Sequence, residues 1–393
     1  MKKIRILLVG GGSGGHIYPL IAVAQKLKQF AEKSGNISLD LKYFGDAGGY
    51  GAVLTSNGVQ CRSVVSSKLR RYFSLKNFVD FFKFFVAIFQ SLWRVFWFMP
   101  DAVFSKGGPG SLPIILVCRF FFIPVIIHES DSVPGLTNLI SGKFSQKIFL
   151  AFDSAKRYFP GKDVEVVGNP VRNELTAERG SDAAAKITES DKNEARAKFG
   201  FVSGQPVLLI LGGSQGAVAI NDFVVKNIEI LASKFQVLHQ IGRDNFKEFK
   251  ADYDFLSKAL PDQIKNNYKF FAYFDENLKD AYIAADLVLA RASSGTIFEL
   301  AYFGKPAILV PLPDAANDHQ QLNAVELEKI GAAVIIGQEN FLSHLVLLRL
   351  DTEISKPEIL EKMSAAASAF YKPFSADKIA AYLLSLEGIN NRK

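Results

Sequence analysis

His16 ends the run Gly10-Gly11-Gly12-Ser13-Gly14-Gly15, and a histidine at such a turn is placed to act as a general base beside a bound diphosphate. The glycines supply the reason to expect a diphosphate. They admit positive φ and close approach to the main chain, while the free N–H groups of a following helix attract an anion. A second turn, Gly212-Gly213-Ser214-Gln215-Gly216-Ala217, repeats the pattern in the other half of the chain. Neither turn ends in the Lys-Ser/Thr of a nucleoside-triphosphate loop, and neither is a clean G-x-G-x-x-G dinucleotide fingerprint. The turns therefore license phosphate binding without naming a reaction, and a His16 that merely caps its turn is the bland alternative.

Other polar clusters fall where strands should end. His128-Glu129-Ser130-Asp131 follows Pro124-Val125-Ile126-Ile127 and precedes Pro134-Gly135-Leu136-Thr137-Asn138. Arg291-Ala292-Ser293-Ser294-Gly295-Thr296 follows an apolar run and leads through Ile297 and Phe298 to Glu299. A third cluster, Asp314 to Asn323, closes with Asp318-His319-Gln320-Gln321-Leu322-Asn323. Carboxylates suit ribose hydroxyls, amides suit sugar hydroxyls, and glycine-flanked N–H groups suit phosphates. The bland alternatives are a solvated first-turn acid for Glu299, the less favoured reading there, and helix-surface amides for Gln320 and Asn323. No Cys/His cluster has metal-ligand spacing, and Asp252-Tyr253-Asp254 reads as solvated surface.

Strands followed by helices must position these groups. Each glycine turn follows an apolar run, 4–9 and 206–211, and precedes a helical pattern, 18–30 and 219–231. Further strands are expected at 39–44, 102–104, 124–128 and 147–151, then at 236–240, 268–272, 287–290 and 307–310, with helices at 359–370 and 376–386. This alternation implies an α/β chain: two Rossmann-like doubly wound domains, parallel-stranded, with a cleft between them and ligands at the carboxyl ends of the strands. The expected domains are 1–171 and 201–370, joined by a linker or insertion at 172–200. A C-terminal helix within 371–393 is free to pack back on the first domain. The 393 residues, 49% hydrophobic and 22% charged, suffice for two cores, and two cysteines make no disulfide framework. Met1-Lys2-Lys3 enters the first strand directly, so no signal peptide is expected and the cytosolic side is the expected compartment.

Charge is divided unevenly. Residues 1–171 hold 21 Lys and Arg against 10 Asp and Glu, although the whole chain is only +7. Lys68, Arg70, Arg71 and Lys76 flank an unusual stretch in which 12 of the 31 residues from 68 to 98 are aromatic, Trp93 and Trp97 among them. As a helix it gathers Asp80, Lys83, Ala87, Gln90, Ser91 and Arg94 on one narrow face and leaves the remainder apolar. That exceeds what one side of a sheet needs covered, with Phe84, Ile88, Trp97 and Phe98 as candidates for the surplus. The run between Lys83 and Arg94 is too short to span a bilayer. A buried helix competes with a face dipping into a membrane interface; the flanking cations and the Arg119-Phe120-Phe121-Phe122 cluster favour the membrane. Nucleic acid is disfavoured, because the aromatics are massed instead of spaced along a groove.

Taken in order, the motifs resemble the MurG family, the lipid II-forming N-acetylglucosaminyltransferases of glycosyltransferase family 28 with the GT-B fold. The resemblance rests on Gly11 to Pro19, Lys106-Gly107-Gly108, His128-Glu129 with Pro134 to Asn138, and Gly168-Asn169-Pro170-Val171-Arg172. It continues through Gly212 to Gly216, Arg291 to Glu299, and Asp318-His319-Gln320 with Asn323. Ser13 stands where the family often has Thr, which keeps the hydroxyl. The resemblance implies inverting transfer of N-acetylglucosamine from UDP-N-acetylglucosamine to the 4-hydroxyl of a polyprenyl-diphosphate-linked N-acetylmuramoyl-peptide, with no obligatory cofactor or metal. It implies that Ser214, Gln215 and Gly216 meet the donor diphosphate and Phe274 the uracil region. Ser294, Gly295, Thr296, Ile297, Phe298 and Glu299 would meet the diphosphate and ribose, Gln320 and Asn323 the sugar hydroxyls, and Arg172 would close over the nucleotide. Ser13, Gly14, Gly15 and His16 would receive the acceptor, with Asp131 and Asn138 nearby. His16 is the expected base, and Glu129 or Asp131 the rival. Lys68, Arg70, Arg71, Trp93 and Trp97 would touch an anionic membrane at its cytoplasmic face, where other cell-wall synthesis proteins are conceivable partners. A GT-B enzyme acting on another lipid such as diacylglycerol, a catalytically silent nucleotide-sugar-binding module, and an NAD-linked oxidoreductase are the alternatives, the last disfavoured by the glycine turns.

Overall fold

The computed structural model describes residues 2–66, 76–176, 187–213, 216–313 and 315–386. It divides into two units, Met1–Asn173 with Lys372–Lys393, and Glu174–Tyr371. In the first, seven strands run parallel: β1 (Lys2–Val9), β2 (Ile37–Phe44), β3 (Gln60–Arg62), β4 (Ala102–Ser105), β5 (Val125–Glu129), β6 (Lys147–Leu150) and β7 (Val164–Val166). Their order is β3-β2-β1-β4-β5-β6-β7, so the sequence order reverses between β1 and β4, where Val9 lies opposite Ser105. A strand's side chains alternate between faces, and here both faces are covered. Ile4, Ile6 and Leu8 enter one core with Leu20 and Leu27 of the Gly14–Ser34 helix, whereas Leu7 and Val9 enter the other with Ile114 and Ile115. The Ser375–Ser385 helix completes the first core with Ile379, Ala380 and Leu383.

The second unit repeats the design with β8 (Val207–Leu211), β9 (Gln236–Gln240), β10 (Tyr268–Phe271), β11 (Leu287–Ala290), β12 (Ala307–Leu309) and β13 (Ala333–Ile335). All six are parallel in the order β10-β9-β8-β11-β12-β13, with the reversal between β8 and β11. Each glycine turn thus leaves the carboxyl end of the first strand beside its sheet's switch point, the place where doubly wound folds bind ligands. Of the 173–198 stretch, the structure shows helices at Asn173–Thr176 and Glu189–Lys198; the second starts with a capping box between Thr188 and Asp191.

The aromatic stretch forms a helix over Lys76–Phe98. Its narrow polar face turns inward except at the exposed Lys83: Asp80, Ala87 and Ser91 are buried, Gln90 accepts the Val65 N–H at 2.9 Å, and Arg94 donates to the Ser63 carbonyl. Phe78, Phe81, Phe82, Phe85, Phe89, Trp93, Phe96 and Trp97 are exposed. This corrects the surplus expected from sequence, because Phe98 is buried and Phe84 and Ile88 are half-buried. The cause is that the polar face satisfies backbone groups of the segment after β3, which pulls that face toward the domain. By length and composition residues 80–98 suffice to cross a membrane, contrary to the short-run argument from sequence. The stripe of Ala87, Val95 and Phe98 is nevertheless packed in the sheet's core, so the helix offers a face to its surroundings.

Candidate active site

The site in the first unit is built from the ends of β1, β4 and β5. Ser13 precedes the Gly14–Ser34 helix without capping it; its Oγ instead lies 2.8 Å from His16 Nδ1. A proton on Nδ1 directed at Ser13 leaves the lone pair on Nε2, the tautomer a general base requires. Gly108, after β4, comes up against this ring. Its φ is 90°, and a Cβ there would stand 2.9 Å from the Gly11 nitrogen and 3.1 Å from His16 Nε2. Glycine is required at that position by both conformation and space.

Beneath the turns lies a buried polar network. Glu129, the last residue of β5, accepts from the Asp131 N–H through Oε1 at 2.9 Å, and through Oε2 from Gly135 N–H at 3.2 Å and Asn138 Nδ2 at 2.9 Å. Both carboxylate oxygens therefore serve to close the loop between β5 and the Leu136–Gly142 helix. Burial and the neighbouring Asp131 charge push the Glu129 carboxyl up, against the pull of these donors and of Lys106. Lys106 is buried, and burial pulls its ammonium down while Glu129 and Asp131 oppose the shift. Its Nζ lies 2.6 Å from His128 Nδ1, 2.6 Å from Ser130 Oγ and 3.0 Å from Asn169 Oδ1. His128 is held neutral by burial and by the Lys106 charge. The structure thus gathers Ser13, His16, Glu129, Asp131 and Asn138 around one end of one sheet. Arg172 belongs to the same unit, its guanidinium 4.4 Å from the centre of the Tyr18 ring.

In the second unit Gly213 and Gly216 both have positive φ, and a Cβ on Gly216 would stand 2.3 Å from the Ile241 carbonyl. Ser214 and Gln215, between them, lie outside the described residues, as do Lys68, Arg70, Arg71 and Asp314. Gln240, at the end of β9, ties the turn down: Nε2 donates to the Gly213 carbonyl at 3.1 Å and Oε1 accepts the Phe274 N–H at 3.0 Å. Phe274 is the residue expected in the uracil region. The ring is 1% exposed, packed on Phe271 and Phe199.

After β11, Ser293 caps the Ser294–Phe303 helix by accepting the Thr296 N–H at 3.2 Å, and the N-terminus of a helix of this kind favours an anion. Ile297 and Phe298 are buried, so they bring backbone and not side chain to the site. Glu299 is oriented from behind by the buried Tyr282, whose hydroxyl donates to Oε2 at 2.9 Å. Arg291 braces the strand ends, donating to the Val310 and Pro311 carbonyls at 3.1 Å each and to Gln338 Oε1 at 2.7 Å. Gln320 accepts the Leu312 N–H through Oε1 at 3.0 Å, and Asn323 is 0% exposed. Asn323 is therefore an interior amide. Sequence reasoning missed Gln240 and Tyr282 as members of the site, since neither sits in a glycine- or carboxylate-rich motif. It quoted Lys106 only as part of a motif.

Comparison with known proteins agrees with this geometry. Residues 6–150 match the Glycosyltransferase family 28 N-terminal domain and residues 207–379 the Glycosyltransferase family 28 C-terminal domain. A UDP-N-acetylglucosamine–N-acetylmuramyl-(pentapeptide) pyrophosphoryl-undecaprenol N-acetylglucosamine transferase from Clostridium perfringens is 33% identical over 366 residues, 92% of this chain and 94% of its own. The protein of that name from Clostridium botulinum is 34% identical over 353 residues, 89% of this chain and 90% of its own. The crystal structure of Acinetobacter baumannii MurG superposes with a TM-score of 0.70 at 25% identity, covering 97% of this chain and 99% of that one. A UDP-N-acetylglucosamine 2-epimerase from Neisseria meningitidis shares the fold alone, with a TM-score of 0.64 at 18% identity over 97% of this chain and all of that one. Two parallel sheets with glycine turns at their switch points, both family 28 domains, and this identity along nearly the whole length make the chain a member of the MurG family of GT-B glycosyltransferases.

Proposed function

We propose that this protein transfers N-acetylglucosamine from UDP-N-acetylglucosamine to the 4-hydroxyl of N-acetylmuramoyl-(pentapeptide)-diphospho-undecaprenol, the step from lipid I to lipid II in peptidoglycan synthesis. The observation that carries the reading is the 33% identity over 92% of the chain to a transferase named for this reaction. The donor is held by the second unit: its diphosphate at the Gly212–Gly216 turn and the first turn of the Ser294–Phe303 helix, its ribose at Glu299. The acceptor is received by the first unit at Ser13, Gly14 and Gly15. His16 takes the proton from the 4-hydroxyl, the oxygen forms its bond to the anomeric carbon with inversion, and UDP leaves. Backbone N–H groups, and not an obligatory metal, stabilise the departing diphosphate. Glu129 serves better as the loop's anchor than as the base, since both its oxygens already accept from that loop.

An acceptor with a polyprenyl chain must be met at the membrane. The exposed aromatic face of the Lys76–Phe98 helix continues through Phe121, 6.3 Å from Phe96, to the exposed Phe120 and Phe122. A contiguous patch of this size marks an interaction surface, and on the basic half of the chain it suits the anionic cytoplasmic leaflet. The deciding experiment is release of UDP from UDP-N-acetylglucosamine with this acceptor, using wild type and His16→Ala. Acceptor-dependent release is expected, with kcat in the variant lower by about 10²–10⁴ and donor affinity retained. Donor binding without UDP release from this acceptor would sink the assignment in favour of another lipid acceptor or a silent binding module.

A further inference from the structure

The Gly10-Gly11-Gly12 run that leads to His16 has no side chains with which to pack, so its place is set through the main chain. Gly10 is buried, and among the described residues no backbone N–H donates to its carbonyl. The bond comes from a side chain instead: the Tyr43 hydroxyl lies 2.7 Å from the Gly10 carbonyl oxygen and 3.1 Å from that of Asp46. Tyr43 stands on β2 level with Leu8, and its ring is buried in the core that holds Ile6 and Leu20. The hydroxyl therefore sits between two segments, 10–13 and 45–48. These interlock glycine to glycine. A Cβ on Gly12 would stand 2.8 Å from the Asp46 carbonyl, and one on Gly48 2.7 Å from the Gly12 carbonyl. Beyond Gly12 the hold passes to the base: the Ser13 carbonyl accepts the His16 N–H at 3.0 Å, and Ser13 Oγ lies 2.8 Å from His16 Nδ1.

Phenylalanine would fill the same core, so the hydroxyl answers a need of the turn and not of the packing. Its simplest service is to satisfy a buried carbonyl, which is costly to leave bare. The second sheet repeats the device with different chemistry. Gln240, on the strand β9 that neighbours β8 as β2 neighbours β1, donates to the Gly213 carbonyl at 3.1 Å and accepts the Phe274 N–H from the loop after β10 at 3.0 Å. A phenol in one unit and a primary amide in the other thus hold a turn carbonyl from the same neighbouring strand, each tying it to a second loop. What the two share is the turn, not the residue. We propose that Tyr43 is a positioning residue for the reaction, its hydroxyl fixing the 10–13 turn and through it the orientation of His16. The acceptor and the work of His16 as base rest on the transferase reading above; the hold of Tyr43 on His16 does not.

Tyr43→Phe removes the hydroxyl and keeps the ring. With both substrates saturating, kcat should fall about tenfold, because rate is sensitive to small displacements of a catalytic group. UDP affinity, a property of the other unit, should stay within about twofold. The same substitution in a His16→Ala background should change kcat by less than about twofold, since the hydroxyl acts through an imidazole that is already gone. A loss of about tenfold in both backgrounds would overturn the proposal, because a general loosening of the unit does not need His16. So would an unchanged kcat in the single variant. A second readout is independent of turnover. In ¹⁵N-histidine spectra at about pH 8.5, where an imidazole is neutral, the His16 signals are assigned by their loss in His16→Ala. Wild type should show Nδ1 protonated, and Tyr43→Phe should move His16 toward a mixture of tautomers. Unmoved His16 signals would refute the role. If wild type releases no UDP with this acceptor, the transferase reading fails, and the histidine spectrum still decides whether Tyr43 holds His16.

Discussion

Protonation states in both units are set by burial, and His239 shows the consequence most simply. It lies inside the second unit with Nδ1 2.8 Å from the Tyr268 hydroxyl and Nε2 3.2 Å from Asn221 Oδ1. Asn221 donates its amide to the Ile241 carbonyl, so Oδ1 is the acceptor and the imidazole is neutral with its proton on Nε2. Burial pulls His239 down to about 3 from an ordinary 6.5. The unfolded chain therefore takes up a proton first as pH falls. The stability this group contributes is complete above about pH 6.5 and is lost progressively toward pH 3, at about 1.4 kcal/mol per unit. Between pH 7 and 5 wild type should lose about 2 kcal/mol more than His239→Gln, as read from urea unfolding at the two pH values. Equal losses would show that His239 already titrates in the folded state. At this scale the sequence disclosed the groups whose setting is local: the glycines and the His16 that follows them. Lys106, Phe274 and Asn323 were opaque because their roles depend on burial by segments remote in sequence. A lysine after β4 looks like any surface lysine until β5 and Asn169 enclose it.

Among the elements, strands buried on both faces were legible because an apolar run needs no partner to be recognised. β5, β6, β9, β11 and β12 stand where the runs predict, within a residue or two at the ends. β3, β7 and β13 escaped notice: each is only three residues long and lies at a sheet edge. The aromatic helix was recognisable as one, but its orientation was not, since the bonds that fix it come from Val65 and Ser63. Trp93 and Trp97 are 67% and 68% exposed and lie ring to ring at 5.6 Å. Replacing both by aspartate removes two aromatic anchors worth roughly 1.5–3 kcal/mol each if fully inserted. Partitioning onto anionic phospholipid vesicles in a sedimentation assay should fall by at least about a hundredfold, with thermal unfolding unchanged. Unaltered vesicle binding would remove the membrane from the account of this face.

For the molecule as a whole, the chain path matters more than the pairing of two similar sheets. The first unit is made of two stretches, and the second lies entirely between them in sequence. Leu383 is buried on the Ser375–Ser385 helix in the first unit's core, and Lys26 pairs with Asp377 at 3.1 Å. Leu383→Ala should therefore cost about 2–5 kcal/mol and lower the thermal transition of the first unit, leaving the UDP-stabilised transition of the second in place. Calorimetry with and without UDP separates the two, and a loss confined to the UDP-sensitive transition would contradict the packing. The same chain path orders events during synthesis. The first unit's amino-terminal stretch leaves the ribosome early but waits for Ile379 and Leu383, which follow only after the intervening 174–371 segment, about 10–40 s later at bacterial-scale elongation rates. The second unit, begun later, holds all its own parts first. Until its closing helix has emerged, the nascent first unit keeps the seat of that helix open, with the apolar groups that Ile379 and Leu383 will cover still bare.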